Sequence, residues 1–321
     1  MSKKEKTKEH ITSIGGQAVM EGVMMRGPHK TAVAVRKPDG EITFKVDENG
    51  TKKKNKILKF PVIRGCVNFI ESMVIGIKAL MFSAEFVDIE DDEPSESKFE
   101  KWLEDKLGDK IKDVVIYFAI FLSLIMSVGL FILLPTVLTR GLESLLSGFD
   151  FAGTKAFTSV CEGVVRMVIF LGYMALVARM KDIKRVFEYH GAEHKTIACY
   201  EAGEELTVEN ARKYTRFHPR CGTNFLLFVM IISIILFSCL PKTGIILRVL
   251  MRLLLLPVVA GLSYEVIKLA GRSKNKCVCA MTKPGLWLQR LTTREPDDSQ
   301  LEVAIASILK VIPEDKNDDK W

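Results

Sequence analysis

Residues 114–138 form an unbroken run of 25 positions without a charged side chain. A helix of that length crosses the roughly 30 Å hydrocarbon core of a bilayer with some tilt. Three further apolar stretches follow. Residues 157–177 carry Glu162 and Arg166, residues 225–240 are short for a span but extend to about 222–240 with the residues before them, and residues 244–269 carry Arg248, Arg252, Glu265 and Lys268. The fold class expected is a mainly α membrane protein with about four transmembrane helices.

Lys and Arg in the connections set the expected orientation. They crowd residues 98–113, thin to Arg140 and Lys155 in residues 139–156, return in residues 178–223, and reduce to Lys242 in the turn at Pro241. Both termini and the long 178–223 loop are therefore expected on the cytoplasmic side of a multi-pass protein of the cell membrane. The net charge of +7 needs no nucleic acid to explain it, because this topology already accounts for the basic residues. The first ten residues are a charged tail with no apolar core behind it and do not form a secretory signal. Seven cysteines, an odd count with Cys161 and Cys239 inside apolar runs, argue for thiols rather than a disulfide framework.

The flanking parts read differently. Residues 31–36 and 41–46 surround Pro38-Asp39-Gly40 and predict a β-hairpin within an N-terminal segment, residues 1–56. Residues 15–27 are glycine-rich without the spacing of a phosphate-binding loop. They predict a tight-turn segment that could bring Glu21 or Arg26 towards a site. Residues 57–113 predict an amphipathic helix over 60–82, lying at the membrane surface or forming a fifth span, and then an acidic linker. In the C-terminal segment, residues 270–321, Ser299 and Glu302 have capping-box spacing ahead of an amphipathic helix reaching Val311.

The chemistry concentrates in the 178–223 loop. His190 and His194 are four apart, so on a helix both imidazoles reach one side, and Glu193 flanks them as a candidate general base. His218 and Cys221 close the same loop, and Glu265 falls near the cytoplasmic end of the last span. Imidazole, thiolate and carboxylate together suit a divalent metal, zinc foremost. The plainer reading is that the histidines are solvated or hydrogen-bonded on an exposed helix. Within the spans, Glu162 with Arg166 and Arg248 with Arg252 each share a helix face, as structural glue between helices or as the lining of a polar pocket. Cys277-Val-Cys279 lacks the second pair of a zinc knuckle, and Arg294 could bind an anion or cap a neighbour.

The segments GGQAVMEGVMMRGP, EYHGAEHKT, HPRCGTNF, SYEVIKLAGR and PGLWLQRLTTREPDDSQLEVAI together resemble the YqhQ-like family, domain of unknown function 1385. The resemblance implies a membrane protein generally described as a predicted metal-dependent enzyme, and it implies no reaction. His190, Glu193 and His194 alone are also similar in order to the inverzincin metallopeptidases, which are soluble and use a downstream glutamate ligand. Here Glu265 is the available equivalent, inside a span. The function expected is an integral membrane metal-dependent hydrolase with His190, His194 and His218 as ligands and Glu193 activating water. The alternative is a non-catalytic scaffold or transport-associated protein. The lipid bilayer is the expected partner, and a homo-oligomer is compatible with the sequence.

Overall fold

A computed structural model of the 321-residue chain describes residues 10–50, 60–86, 111–146, 148, 155–241, 243–272, 276–315 and 317–320. The charged N-terminal tail, the connector at 51–56, the acidic linker at 90–100, most of the basic run at 98–113, Lys242 and the Cys277 and Cys279 side chains lie outside what is described. The described residues divide into two compact units. One comprises Met1–Val87, Met174–Ile232 and Pro257–Trp321, and the other Asp88–Tyr173 and Ser233–Leu256.

The first unit is built on a four-stranded antiparallel meander, β1 (Gly15–Val19), β2 (Gly22–Arg26), β3 (Lys30–Arg36) and β4 (Ile42–Glu48), in sequential order. The hairpin expected around Gly40 is β3–β4. The glycine-rich stretch, expected as a turn, is itself a hairpin: β1 and β2 pair through Val19 and Gly22, leaving Met20 and Glu21 as the turn. Glu21 takes φ +48°, uncommon outside glycine. Strand alternation feeds two cores. Val23, Met25, Ala32 and Ala34 face one side, and Val19, Met24, Val33 and Val35 the other.

On that second face lies α1 (Pro61–Ala84), which contributes Ala79, Ile75 and Phe82. From its middle to its C-terminal end it is tied to the sheet. Arg26 reaches Glu71 at 3.0 Å, and Ser83 Oγ accepts the Met20 N–H at 3.3 Å. Its N-terminal half meets α8 (Ile245–Arg272), where Gly65 and Gly261 let the two backbones approach closely. There Asn68 Nδ2 donates to Tyr264 Oη at 2.8 Å. Ile63, Ile70, Met73, Val74, Ile77 and Met81 remain exposed along α1.

The first face of the sheet receives α5 (Lys181–Glu201) and α10 (Asp298–Leu309), with Tyr189, Ala192 and Ile197 meeting Leu301, Ala304 and Ile308. The 178–223 loop is thus largely helical, since it holds α5 and the short α6 (Val208–Arg212). The capping box of α10 sits two residues earlier than the Ser299/Glu302 spacing suggested. Asp297 is the N-cap and Gln300 its partner, because the Asp297 carboxylate reaches the Gln300 N–H at 2.9 Å. Burial alone would raise the Asp297 pKa, but donation from Ser299 and from the Gln300 N–H outweighs it and the net shift is downward. Asp297→Ala is expected to cost about 1 kcal/mol of stability in chemical unfolding. In the parent chain the contribution is complete above the unfolded value of about 3.9 and fades as pH falls through the lower folded value, whereas the variant lacks that dependence.

Four helical stretches are long and apolar enough to cross a membrane: Val62–Ala84, Phe118–Leu145, Phe157–Val177 and Ile246–Leu269. The set differs from the expected one at two places. The 60–82 helix meets the length and composition of a span. By contrast α7 (Gly222–Ser238), expected as a span, is a shorter apolar helix of 17 residues that rises about 25 Å. The strongest run is α2 (Ile111–Val128), a π turn at Gly129–Leu133, and α3 (Leu134–Leu145). Pro135 explains the π turn, since it lacks an N–H and its ring crowds the carbonyl one turn back. The span over 157–177 is α4 (Lys155–Val177). Phe118, Phe121, Leu124, Ile125 and Met126 are exposed along α2, as lipid-facing side chains would be.

Candidate metal centre

His190 and His194 project from one side of α5, with ring centroids 4.4 Å apart. Cys221, just ahead of α7, completes a group in which one donor atom from each residue lies within 4.8 Å of the others. His190 Nε2 is 3.1 Å from Cys221 Sγ.

Each imidazole is oriented from behind. His190 Nδ1 is 2.9 Å from the Thr292 carbonyl oxygen, at the end of α9 (Lys276–Thr292), and His194 Nδ1 is 2.6 Å from that of Arg216. A carbonyl only accepts, so both Nδ1 atoms carry the proton and both Nε2 atoms present lone pairs to the group. Metal-bound histidines are held in this way. Among the described residues His194 Nε2 is fully buried and, beyond the neighbouring Cys221 thiol, has no hydrogen-bond partner, which is costly for a polar atom unless something binds there. Burial pushes the His194 pKa down and keeps the ring neutral, the form a ligand needs. Thr223 N and Oγ1 both stand 3.4 Å from Cys221 Sγ, so the sulfur is placed as an acceptor.

Glu193 turns from the same helix towards β1. Its carboxylate lies where a Gly16 side chain would be: a Cβ at Gly16 would meet Glu193 Cγ at 2.9 Å. Glu193 Oε2 remains 3.8 Å from His190 Nε2. Burial raises its pKa, opposed by His190 and by the Gly16 N–H, and the net shift is upward. A carboxylate in that condition takes up a proton more readily than an exposed one.

The other expected ligands are placed differently. Glu265 is held by Arg64, whose Nη2 contacts the two carboxylate oxygens at 2.8 and 2.7 Å, and it stands outside the group. Its position along the chain had suggested a ligand, but a guanidinium on α1 satisfies it first. His218 lies beside the group, its ring centroid 5.5 Å from that of His194. Its Nε2 faces Glu201 Oε2 at 3.6 Å and Arg220 Nη2 at 3.3 Å, while Gln289 fastens its backbone N–H and carbonyl. Glu201 would have its pKa raised by burial, yet His218, Arg220 and the Thr12 N–H bring it below the usual range. Glu21 accepts from Arg185 and from Tyr189 Oη, and Arg26 binds Glu71, so neither joins the group. Arg294 Nη2 donates to the Ala178 carbonyl at 3.0 Å, the capping alternative.

What sequence reading missed is the framing of the site. The Thr292 and Arg216 carbonyls have no side-chain signature. The pairing of Gly16 with Glu193 joins residues 177 positions apart, 193 less 16.

Residues 60–314 match the family model described as "Protein of unknown function (DUF1385)". The chain is 37% identical over 300 residues, 93% of its own length and 92% of the relative's, to the "Uncharacterized protein YqhQ" of Bacillus subtilis (strain 168). No solved structure matches.

Proposed function

Because the chain belongs to the DUF1385 family of unknown function, its chemistry has to come from its own residues, and we propose that it is a membrane-embedded, metal-dependent hydrolase. The observation that carries the reading is the buried Nε2 of His194, without a geometric hydrogen-bond partner among the described residues, on a ring grouped with His190 and Cys221. Two neutral imidazoles and one thiolate would hold zinc and leave a fourth position open, the pattern of catalytic rather than structural sites. When bound, the metal supplies Lewis acidity, drawing electron density from a water or a carbonyl oxygen. Glu193 holds the proton taken from water on its carboxylate, and its burial makes that uptake favourable.

The crowding of Lys and Arg in 178–223 and after Ala270 supports a cytoplasmic site in the plasma membrane. The contacts of Glu71 and Ser83 with the sheet support an interfacial position for α1, since β1 and β2 cannot follow that part into hydrocarbon.

Glu193→Gln is expected to keep full zinc content, read by plasma emission spectrometry. It is also expected to abolish complementation of a strain lacking the native gene. A variant that keeps its zinc and complements fully removes the catalytic role. That result would favour the second reading, a closed structural metal in a non-catalytic scaffold, which the nearness of His218 to His194 supports as a source of the fourth ligand.

A further inference from the structure

Among its described residues, the second unit buries charge that does not balance. Glu162 on α4 lies 6% exposed between two arginines, Arg166 at 4% and Arg252 at 2%. Its carboxylate is already engaged, because Arg252 Nη2 donates to Glu162 Oε2 at 2.7 Å, and Thr136 Oγ1 donates to Glu162 Oε1 at 3.0 Å. Arg252 Nη1 also donates to Thr136 Oγ1 at 2.5 Å. Among the described residues Arg166 is left with one long ion-pair contact, to Glu162 Oε1 at 3.4 Å. Both guanidinium groups instead lie over the Phe237 ring, at 4.9 and 5.4 Å from its centroid. Among the described residues the Nε atoms of Arg166 and Arg252 are buried with no hydrogen-bond partner.

Arginine does not shed its proton to relieve this. Widening the circle makes the excess larger. Arg248 and Arg140 add two positive charges and Glu143 one negative, so among the described residues four arginines stand against two glutamates. In apolar surroundings an uncompensated charge is retained only with a partner. Two small cavities adjoin the cluster. One of about 10 Å³ is lined by Ser159, Glu162, Arg166, Phe237 and Arg252, and one of about 20 Å³ by Thr158, Ser159, Glu162, Arg248 and Arg252. Each is the size of a single water or monatomic ion. A water would fill either space but leave the charge.

We propose that this cluster binds a small monovalent inorganic anion of the halide class, held by Arg166 and Arg252 with the Ser159 hydroxyl beside it. Glu162 then does two things. It neutralises one guanidinium, and it weakens the site by repelling the anion.

The test uses the full chain in detergent, exchanged into sodium gluconate and titrated with sodium chloride at constant ionic strength. Chloride is expected to raise the thermal midpoint by several degrees, saturably, and Arg166→Gln to abolish the rise. Glu162→Gln is expected to bind chloride about tenfold more tightly, because a competing negative charge is gone. Equal midpoints in chloride and gluconate for the parent chain would overturn the proposal, as would a shift that survives Arg166→Gln. A shift produced by inorganic phosphate or phosphatidylglycerol but not by chloride would overturn the halide assignment. If Glu162→Gln does not fold, bromide soaked into crystals of the parent chain decides the matter. An anomalous peak beside Arg166 and Arg252 is the expected result, and its absence the contrary one.

Discussion

Cys221→Ala is expected to leave the purified protein essentially free of zinc after dialysis, with affinity reduced by more than about 100-fold. Loss of a mere supporting partner costs 10–100-fold, and a direct ligand costs more. The expectation rests on how little else could replace the sulfur. Two of the three donors near the group would remain, His190 Nε2 and His194 Nε2. The neighbouring His218 is fixed at its backbone by Gln289, and its Nε2 faces Glu201 and Arg220. Plasma emission spectrometry on parent and variant reads the result directly. A variant that retains one zinc per chain would mean that the metal sits elsewhere.

Gly191→Ala is expected to destabilise the protein by about 3 kcal/mol, well above the usual surface substitution. Helix propensity alone gives the opposite sign, since alanine is better than glycine by about 1 kcal/mol in a helix interior. Packing decides the outcome. A Cβ at Gly191 would overlap the Arg294 carbonyl oxygen and press on Pro296 Cδ, and the nearer of these is backbone that cannot rotate away. Arg294 is further pinned by its N–H to the Phe187 carbonyl at 2.8 Å, so the strand of chain after α9 cannot retreat cheaply. The neighbouring Thr292 carbonyl orients His190. The variant should therefore lose thermal stability and zinc affinity together. An unchanged midpoint would show that the approach of α5 to residues 292–296 is looser than drawn.

Gly191 also shows why the site was only partly legible. Glycine is a poor helix former, so in the sequence alone Gly191 speaks against a helix carrying His190 and His194. In the fold it is what lets α5 come close enough for the Thr292 carbonyl to reach His190. The i,i+4 spacing of the histidines was readable because a helix turns a local pattern into a shared side. Cys221 was readable as a candidate, but its choice over Glu265 was not. That choice depends on Arg64, 201 positions from Glu265 in the chain, supplying a better partner. The same holds for the elements. The 114–138 run was unmistakable, because a span needs only length and apolarity. The 15–27 stretch did not look like a hairpin, because its glycines make room for Glu193 and for β3 rather than marking one loop. That these charges act as glue between helices could be anticipated, because charges at membrane depth must find each other, but the choice of Arg252 for Glu162 could not. The surplus of arginine around it became visible only once the partners of each guanidinium were known.

Zinc K-edge X-ray absorption on the purified full-length protein tests the metal centre most directly. One zinc per chain is expected, with two nitrogen neighbours at about 2.0–2.1 Å and one sulfur at about 2.3 Å. Sub-stoichiometric zinc, or a first shell without sulfur, would contradict the assignment of His190, His194 and Cys221.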